Sequence, residues 1–127
     1  MHDRRRPVAV DLFAGAGGLS LGLERAGFDV RVAVEFDPIH AAIHELNFPP
    51  GHTATICESV RDLDGDDIRC AAGMKHEEID AVVGGPPCQG FSLIGQRVLD
   101  DPRNNLVDHF RRLVVEIQPR IFVMENV

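Results

Sequence analysis

The chain alternates short β-branched runs with longer stretches whose apolar residues recur at helical spacing, the pattern of a parallel sheet covered by helices. Val8 to Phe13 reads as a buried strand closed by Ala14-Gly15-Ala16-Gly17-Gly18. Leu19, Leu21, Leu23 and Ala26 then open a helix that Gly27 caps at its C-terminal end. Val30 to Val34 reads as a second strand ending at Glu35. Pro38 stands where a first helical position welcomes proline, heading a helix through about Leu46. Thr53 to Ile56 predicts a short third strand, whereas Arg61 to Glu78, acidic and glycine-containing, shows no readable element. Ala81-Val82-Val83 is a buried strand running into Gly84-Gly85-Pro86-Pro87, whose prolines forbid its continuation. Cys88 to Asn105 reads as a long loop, which in compact domains is usually functional or disordered. Asn105 to Ile117 predicts a helix ended by Pro119, and Ile121 to Met124 a last strand leading into Glu125-Asn126-Val127.

Composition narrows the class. A chain of 127 residues fits one compact domain, and 44% hydrophobic with 26% charged residues is ordinary for a globular protein. No apolar run approaches the ~20 residues that span a bilayer. The N-terminus is basic, but the apolar stretch behind it is broken by Asp11 and glycines, unlike a signal peptide, so an intracellular protein is expected. Three cysteines without a C-x-x-C pair argue against a disulfide framework and against a metal site. Cys57 and Cys70 are read as buried structural thiols. The net charge of -7 is the opposite of the basic footprint that grips phosphates, so this segment alone is expected to bind nucleic acid poorly.

The turn after the first strand is where glycines let the backbone approach a ligand and the following helix aims its N–H groups at it. Glu35 ends the second strand ~20 residues later, where a carboxylate can take both ribose hydroxyls of an adenosine. Those features suggest a nucleoside cofactor without choosing between a dinucleotide and S-adenosylmethionine. The dinucleotide fingerprint would need glycine where Ser20 stands. Pro86-Pro87-Cys88-Gln89 puts a thiol just past the C-terminal end of a central strand, and the last strand delivers Glu125 and Asn126 to the same sheet edge.

Asp11-Leu12-Phe13-Ala14-Gly15-Ala16-Gly17-Gly18, Glu35-Phe36-Asp37, Gly85-Pro86-Pro87-Cys88-Gln89-Gly90-Phe91-Ser92 and Glu125-Asn126-Val127 resemble, in order and spacing, the successive motifs of DNA cytosine-5 methyltransferases, from Val8 to Val127. The resemblance implies an α/β, Rossmann-like S-adenosylmethionine-dependent methyltransferase fold: a mostly parallel sheet with flanking helices, incomplete at the C-terminus. It implies methyl transfer from S-adenosylmethionine to cytosine C5 in duplex DNA, on a flipped-out base, through a covalent bond between Cys88 and C6. Glu125 would bind N3 and the exocyclic amine, with Asn126 and Pro87 shaping the site. Phe13, Gly15 and Gly18 would hold the methionine and sulfonium part, Glu35 the ribose, and Phe36 and Leu106 the adenine, with Ala14, Ala16, Gly17, Ser59, Val60 and Pro87 also belonging to the cofactor site. Gln89, Ser92, Gly95 and Arg97 would belong to a loop that closes on DNA. Glu58-Ser59-Val60 departs from the usual Gly-Asp-Ile, with Ser59 replacing the aspartate that reads the adenine amine.

Nothing matches the family's later motifs, including its target-recognition region. The expectation is therefore an N-terminal part of a catalytic domain, inactive alone, that needs a C-terminal half on the same chain or on a second polypeptide. A prokaryotic, cytoplasmic and nucleoid-associated enzyme is implied. The other readings are a non-catalytic or truncated S-adenosylmethionine-binding module, a tRNA cytosine-5 methyltransferase and, far behind, an NAD-binding dehydrogenase domain.

Overall fold

The computed structural model describes residues 4–87 and 104–126. Cys88, Gln89, Ser92, Gly95 and Arg97 lie outside the described residues. The elements run β1 (Val8–Leu12), α1 (Gly18–Arg25), β2 (Asp29–Val34), α2 (Pro38–Asn47), β3 (Ala54–Ile56), a 3-10 turn (Val60–Asp62), α3 (Gly65–Ala72), β4 (Ala81–Gly84), α4 (Asn104–Ile117) and β5 (Ile121–Met124). All strand pairs are parallel and the order is β3-β2-β1-β4-β5.

Period-two alternation in β1 decides which helix covers which face. Val8, Val10 and Leu12 join Val32, Val34 and Val82 under Ile68 and Ala72 of α3 and Phe110, Leu113 and Ile117 of α4. Ala9 points the other way, with Val30, Ala81 and Val83, toward Leu23 of α1 and Phe28. Asp11 shares the Ala9 face and bonds to Ser20 of α1. Each fully buried Val, Leu or Ile contributes roughly 1.5–3 kcal/mol, so the α3/α4 side holds most of the core.

The predicted strands and helices are present, with shifts at their ends. β1 stops at Leu12 because Phe13 adopts φ 59, outside the extended region. Gly27, at φ 97, follows the helix end in the left-handed conformation. Pro38 is the first residue of α2, and the Asp37 carboxylate accepts from the amides of Ile39 and His40. Those two bonds hold the Asp37 carboxyl below its ordinary pKa.

The stretch from Arg61 to Glu78 contains the 3-10 turn and α3. A capping box between Asp64 and Asp67 starts α3. Gly65 makes the segment look loop-like, yet its glycine is required by packing: a Cβ there would sit 2.6 Å from Glu116 Cβ and 3.0 Å from its backbone carbon. The N-terminal arginines tie the chain to the sheet's far end, Arg5 to Asp80 and Arg6 to Glu24 and the carbonyl of Phe28.

β5 is an edge strand whose Ile121, Phe122, Val123 and Met124 are all exposed, Phe122 at 59%. No described helix is long and apolar enough to cross a membrane.

Candidate functional site

Because the sheet is parallel, the C-terminal ends of all five strands meet at one edge. From β1 the chain proceeds outward to β2 and β3, then returns to place β4 and β5 on the other side, so a crevice opens where the order reverses. A cavity of about 640 Å³ lies along this edge. Phe13 lines it at the end of β1, Val34, Glu35, Phe36 and Asp37 at the end of β2, and Glu58 to Asp62 after β3. Gly85 and Pro87 after β4, and Leu106 of α4, complete the wall.

Glu35 is held in place by backbone. Its Oε1 accepts from Gly15 N at 2.9 Å and its Oε2 from Asp37 N at 2.8 Å, which leaves each oxygen a lone pair for a ligand hydroxyl. The glycine turn is thereby locked to the end of β2, and Ala14 N adds a bond to Val34 O at 2.9 Å. Gly17 has φ 108, and a Cβ there would fall 2.5 Å from Phe48 Cε2, so only glycine fits. Gly17, at the N-cap of α1, has no side chain with which to cap the helix's first turn. Ala14, Gly15, Ala16, Gly17 and Gly18 lie beside the cavity wall rather than in it. Phe13 alone of that motif lines the cavity, in a left-handed conformation that costs on the order of 1–3 kcal/mol.

Across the crevice, Glu125 N donates to Gly84 O at 2.9 Å, continuing the β4–β5 ladder by one residue. The Glu125 carboxylate rests on Gly85, its Oε2 only 2.3 Å from where a Gly85 Cβ would be. Gly84 is equally constrained, since its Cβ would fall 2.4 Å from Leu12 O. Pro87 lines the cavity immediately before Cys88, and Asn126 is exposed beyond Glu125.

Ser59 Oγ accepts from Arg61 N at 3.2 Å and so caps the 3-10 turn that forms one cavity wall. Arg112 of α4 fastens that wall with two 2.9 Å bonds to the carbonyls of Val60 and Leu63. Val34, Arg61 and Asp62 line the cavity without belonging to any motif read from the sequence, and Asp37, Glu58 and Gly85, which stand inside such motifs, line it without having been assigned a site role. Most are neighbours of residues that were, and that adjacency was the available signal. Cys57 and Cys70 are corrected: both are free and exposed, because Cys57 follows the short edge strand β3 and Cys70 lies on the outward side of α3. Glu24, Asp29 and His52 bring three ligand-type atoms within 4.8 Å, but Arg6 and Arg31 already pair with the two carboxylates.

The model of the family described as C-5 cytosine-specific DNA methylase matches residues 8–127, and the chain belongs to this family. It is 60% identical over 122 residues to the type II methyltransferase M.XorII of Xanthomonas oryzae pv. oryzae, covering 96% of this chain and 28% of that protein. It is 44% identical over 121 residues to M1.HphI of Haemophilus parahaemolyticus, covering 93% of this chain and 32% of that one. Among solved structures, one described as a DNA modification methyltransferase encoded within an E. coli prophage superposes with a TM-score of 0.81 at 46% identity, over 95% of this chain and 32% of its own. The chain thus spans about a third or less of these relatives.

Proposed function

We propose that this chain is the cofactor-binding and catalytic-cysteine part of an enzyme that methylates cytosine C5 in duplex DNA. The observation that carries the proposal is convergence: the Phe13–Glu35–Leu106 cavity, Glu125 seated on Gly85, and Pro87 leading directly into Cys88 meet at one sheet edge.

The cavity suits S-adenosylmethionine. Its volume falls within the ~300–1,000 Å³ of small-molecule sites, two phenylalanines offer apolar faces, and Glu35 presents two anchored oxygens to a ribose. Phe13 and the Gly15–Gly18 turn would hold the methionine end, and Phe36, Val60, Pro87 and Leu106 the adenine. Ser59 is committed to its cap, so its hydroxyl proton remains to meet a base edge. Bound there, S-adenosylmethionine supplies an electrophilic methyl group.

Cytosine C5 is a weak nucleophile. The Cys88 thiolate adds to C6 and turns the ring into an enamine, nucleophilic at C5. Glu125 holds the exocyclic amine and N3, favouring N3 protonation as charge builds, while Asn126 and Pro87 keep the pocket's shape. Once C5 has taken the methyl group, loss of the C5 proton to a base expels the thiolate and restores the aromatic ring. Gln89, Ser92, Gly95 and Arg97 contact the DNA from which the base is flipped. The remainder of the protein, on the same polypeptide or another, reads the recognition sequence.

Duplex DNA containing 5-fluorocytosine tests this, since its C5 substituent cannot leave as a proton. The intact gene product with S-adenosylmethionine should form a covalent adduct that disappears in Cys88→Ala. Absence of any adduct would favour a non-catalytic binding module, and preferential capture of tRNA would move the substrate to RNA.

A further inference from the structure

Beneath the glycine turn lies a chain of buried polar groups that the methyl-transfer scheme does not use. Asp11, next to last in β1, is 1% exposed; its Oδ2 accepts from Ser20 Oγ at 2.6 Å, and its Oδ1 is buried with no side-chain hydrogen-bond partner among the described residues. Ser20 Oγ, fully buried in the first turn of α1, lies 3.0 Å from His44 Nε2. His44 Nδ1, in α2, lies 3.2 Å from Thr55 Oγ1 in β3. The chain crosses β1, α1, α2 and β3, and it touches the turn. The His44 ring stacks on Phe48 with centroids 4.7 Å apart, and Gly17 sits against both rings.

The proton count allows two directions. With Asp11 ionised, Ser20 donates to it, His44 must donate from Nε2 to Ser20, and Nδ1 accepts from Thr55. With Asp11 carrying a proton on Oδ2, every donor reverses and His44 becomes the Nδ1–H tautomer. Both directions leave the imidazole neutral, in keeping with burial holding its pKa below the ordinary value. Burial lifts the Asp11 pKa to about 6, with the Glu35 carboxylate adding to the rise against the opposing bonds from Ser20. Among the described residues, Glu35 is the charged group acting on both Asp11 and His44; the other polar groups facing them are the hydroxyl and backbone amide of Ser20 and the hydroxyl of Thr55.

We propose that Asp11, Ser20, His44 and Thr55 form a reversible proton relay that positions the glycine turn and Glu35, so that cofactor binding follows the protonation of Asp11. These are positioning residues, and the proposal rests on the cofactor reading above. Ionised Asp11 adds a second negative charge beside Glu35, which favours the cationic sulfonium; protonation removes it and reverses the relay. Linkage makes the coupling reciprocal.

The test uses the intact gene product with ¹⁵N-labelled histidine. His44 should be the Nε2–H tautomer at pH 7.5 and the Nδ1–H tautomer at pH 5, and Asp11→Asn should abolish the change. Calorimetry should show S-adenosylmethionine binding weakening on the order of fivefold across that interval. Neutral S-adenosylhomocysteine should change less, and Asp11→Asn should flatten both. One unchanging tautomer, protonation of His44 to imidazolium, or an identical pH profile in Asp11→Asn would overturn the relay. Failure of S-adenosylmethionine to bind at any pH, with the tautomer change intact, would instead overturn the cofactor reading.

Discussion

Gly85 offers a way to move Glu125 without touching it. An alanine Cβ at this position would stand 2.3 Å from Glu125 Oε2, 3.5 Å from its Cδ and 3.8 Å from its Cβ, the nearest atoms among the described residues apart from its own chain neighbours. Ordinary contact begins near ~3.4 Å, so the carboxylate must retreat by roughly 1 Å. The Gly85 φ is not positive, and the clash is with the far end of a flexible side chain, so the fold should lose less than about 1 kcal/mol. A displacement of about 1 Å in a group that binds the reacting ring can cost on the order of 100-fold, or ~2.7 kcal/mol in the barrier. The assay is transfer of a labelled methyl group to duplex DNA by the intact gene product, with thermal unfolding measured in parallel. Gly85→Ala should lower kcat/KM by about that factor at nearly constant Tm, approaching the loss in Glu125→Gln. A kcat/KM within about threefold of wild type would refute the placement of Glu125, and a large fall in Tm would refute the packing argument.

Other outcomes follow from the same geometry. Asp11 has a folded pKa raised from 3.8 to about 6, so the native state holds its proton more tightly than the unfolded chain, and stability is lost as pH rises through that window. Relative to Asp11→Asn, wild type should lose up to about 3 kcal/mol between pH 4 and pH 7 in denaturant titrations, and a pH-independent difference would sink the assignment. Gly17→Ala combines a φ of 108 with a 2.5 Å overlap on Phe48 and should cost about 2–4 kcal/mol by urea unfolding, with S-adenosylmethionine affinity reduced. The 127-residue polypeptide should self-associate through β5 with rising concentration, as sedimentation would report. Val123→Lys, at a position 52% exposed, should suppress that while changing stability by less than about 0.5 kcal/mol.

The elements were legible because strong local signals agreed with the fold: β-branched runs bounded by glycine or proline, Pro38 at a helix start, and apolar spacing from Leu106 to Ile117. The linear order of motifs likewise indicated that Phe13, Glu35, Pro87 and Glu125 end separate strands of one sheet. α3 was hidden because Gly65 is dictated by Glu116, a neighbour 51 residues away, which no local pattern encodes. Cys57 and Cys70 were misplaced for a related reason, since cysteine's average burial says nothing about which side of a short element faces solvent. The tertiary structure alone decided that Ser59 caps a turn, that Arg112 braces the cavity wall, that Glu125 rests on Gly85, and that Asp11 reaches Thr55 through Ser20 and His44. Each of these depends on distances between residues far apart in the chain, which periodicity and motif spacing leave free and packing fixes.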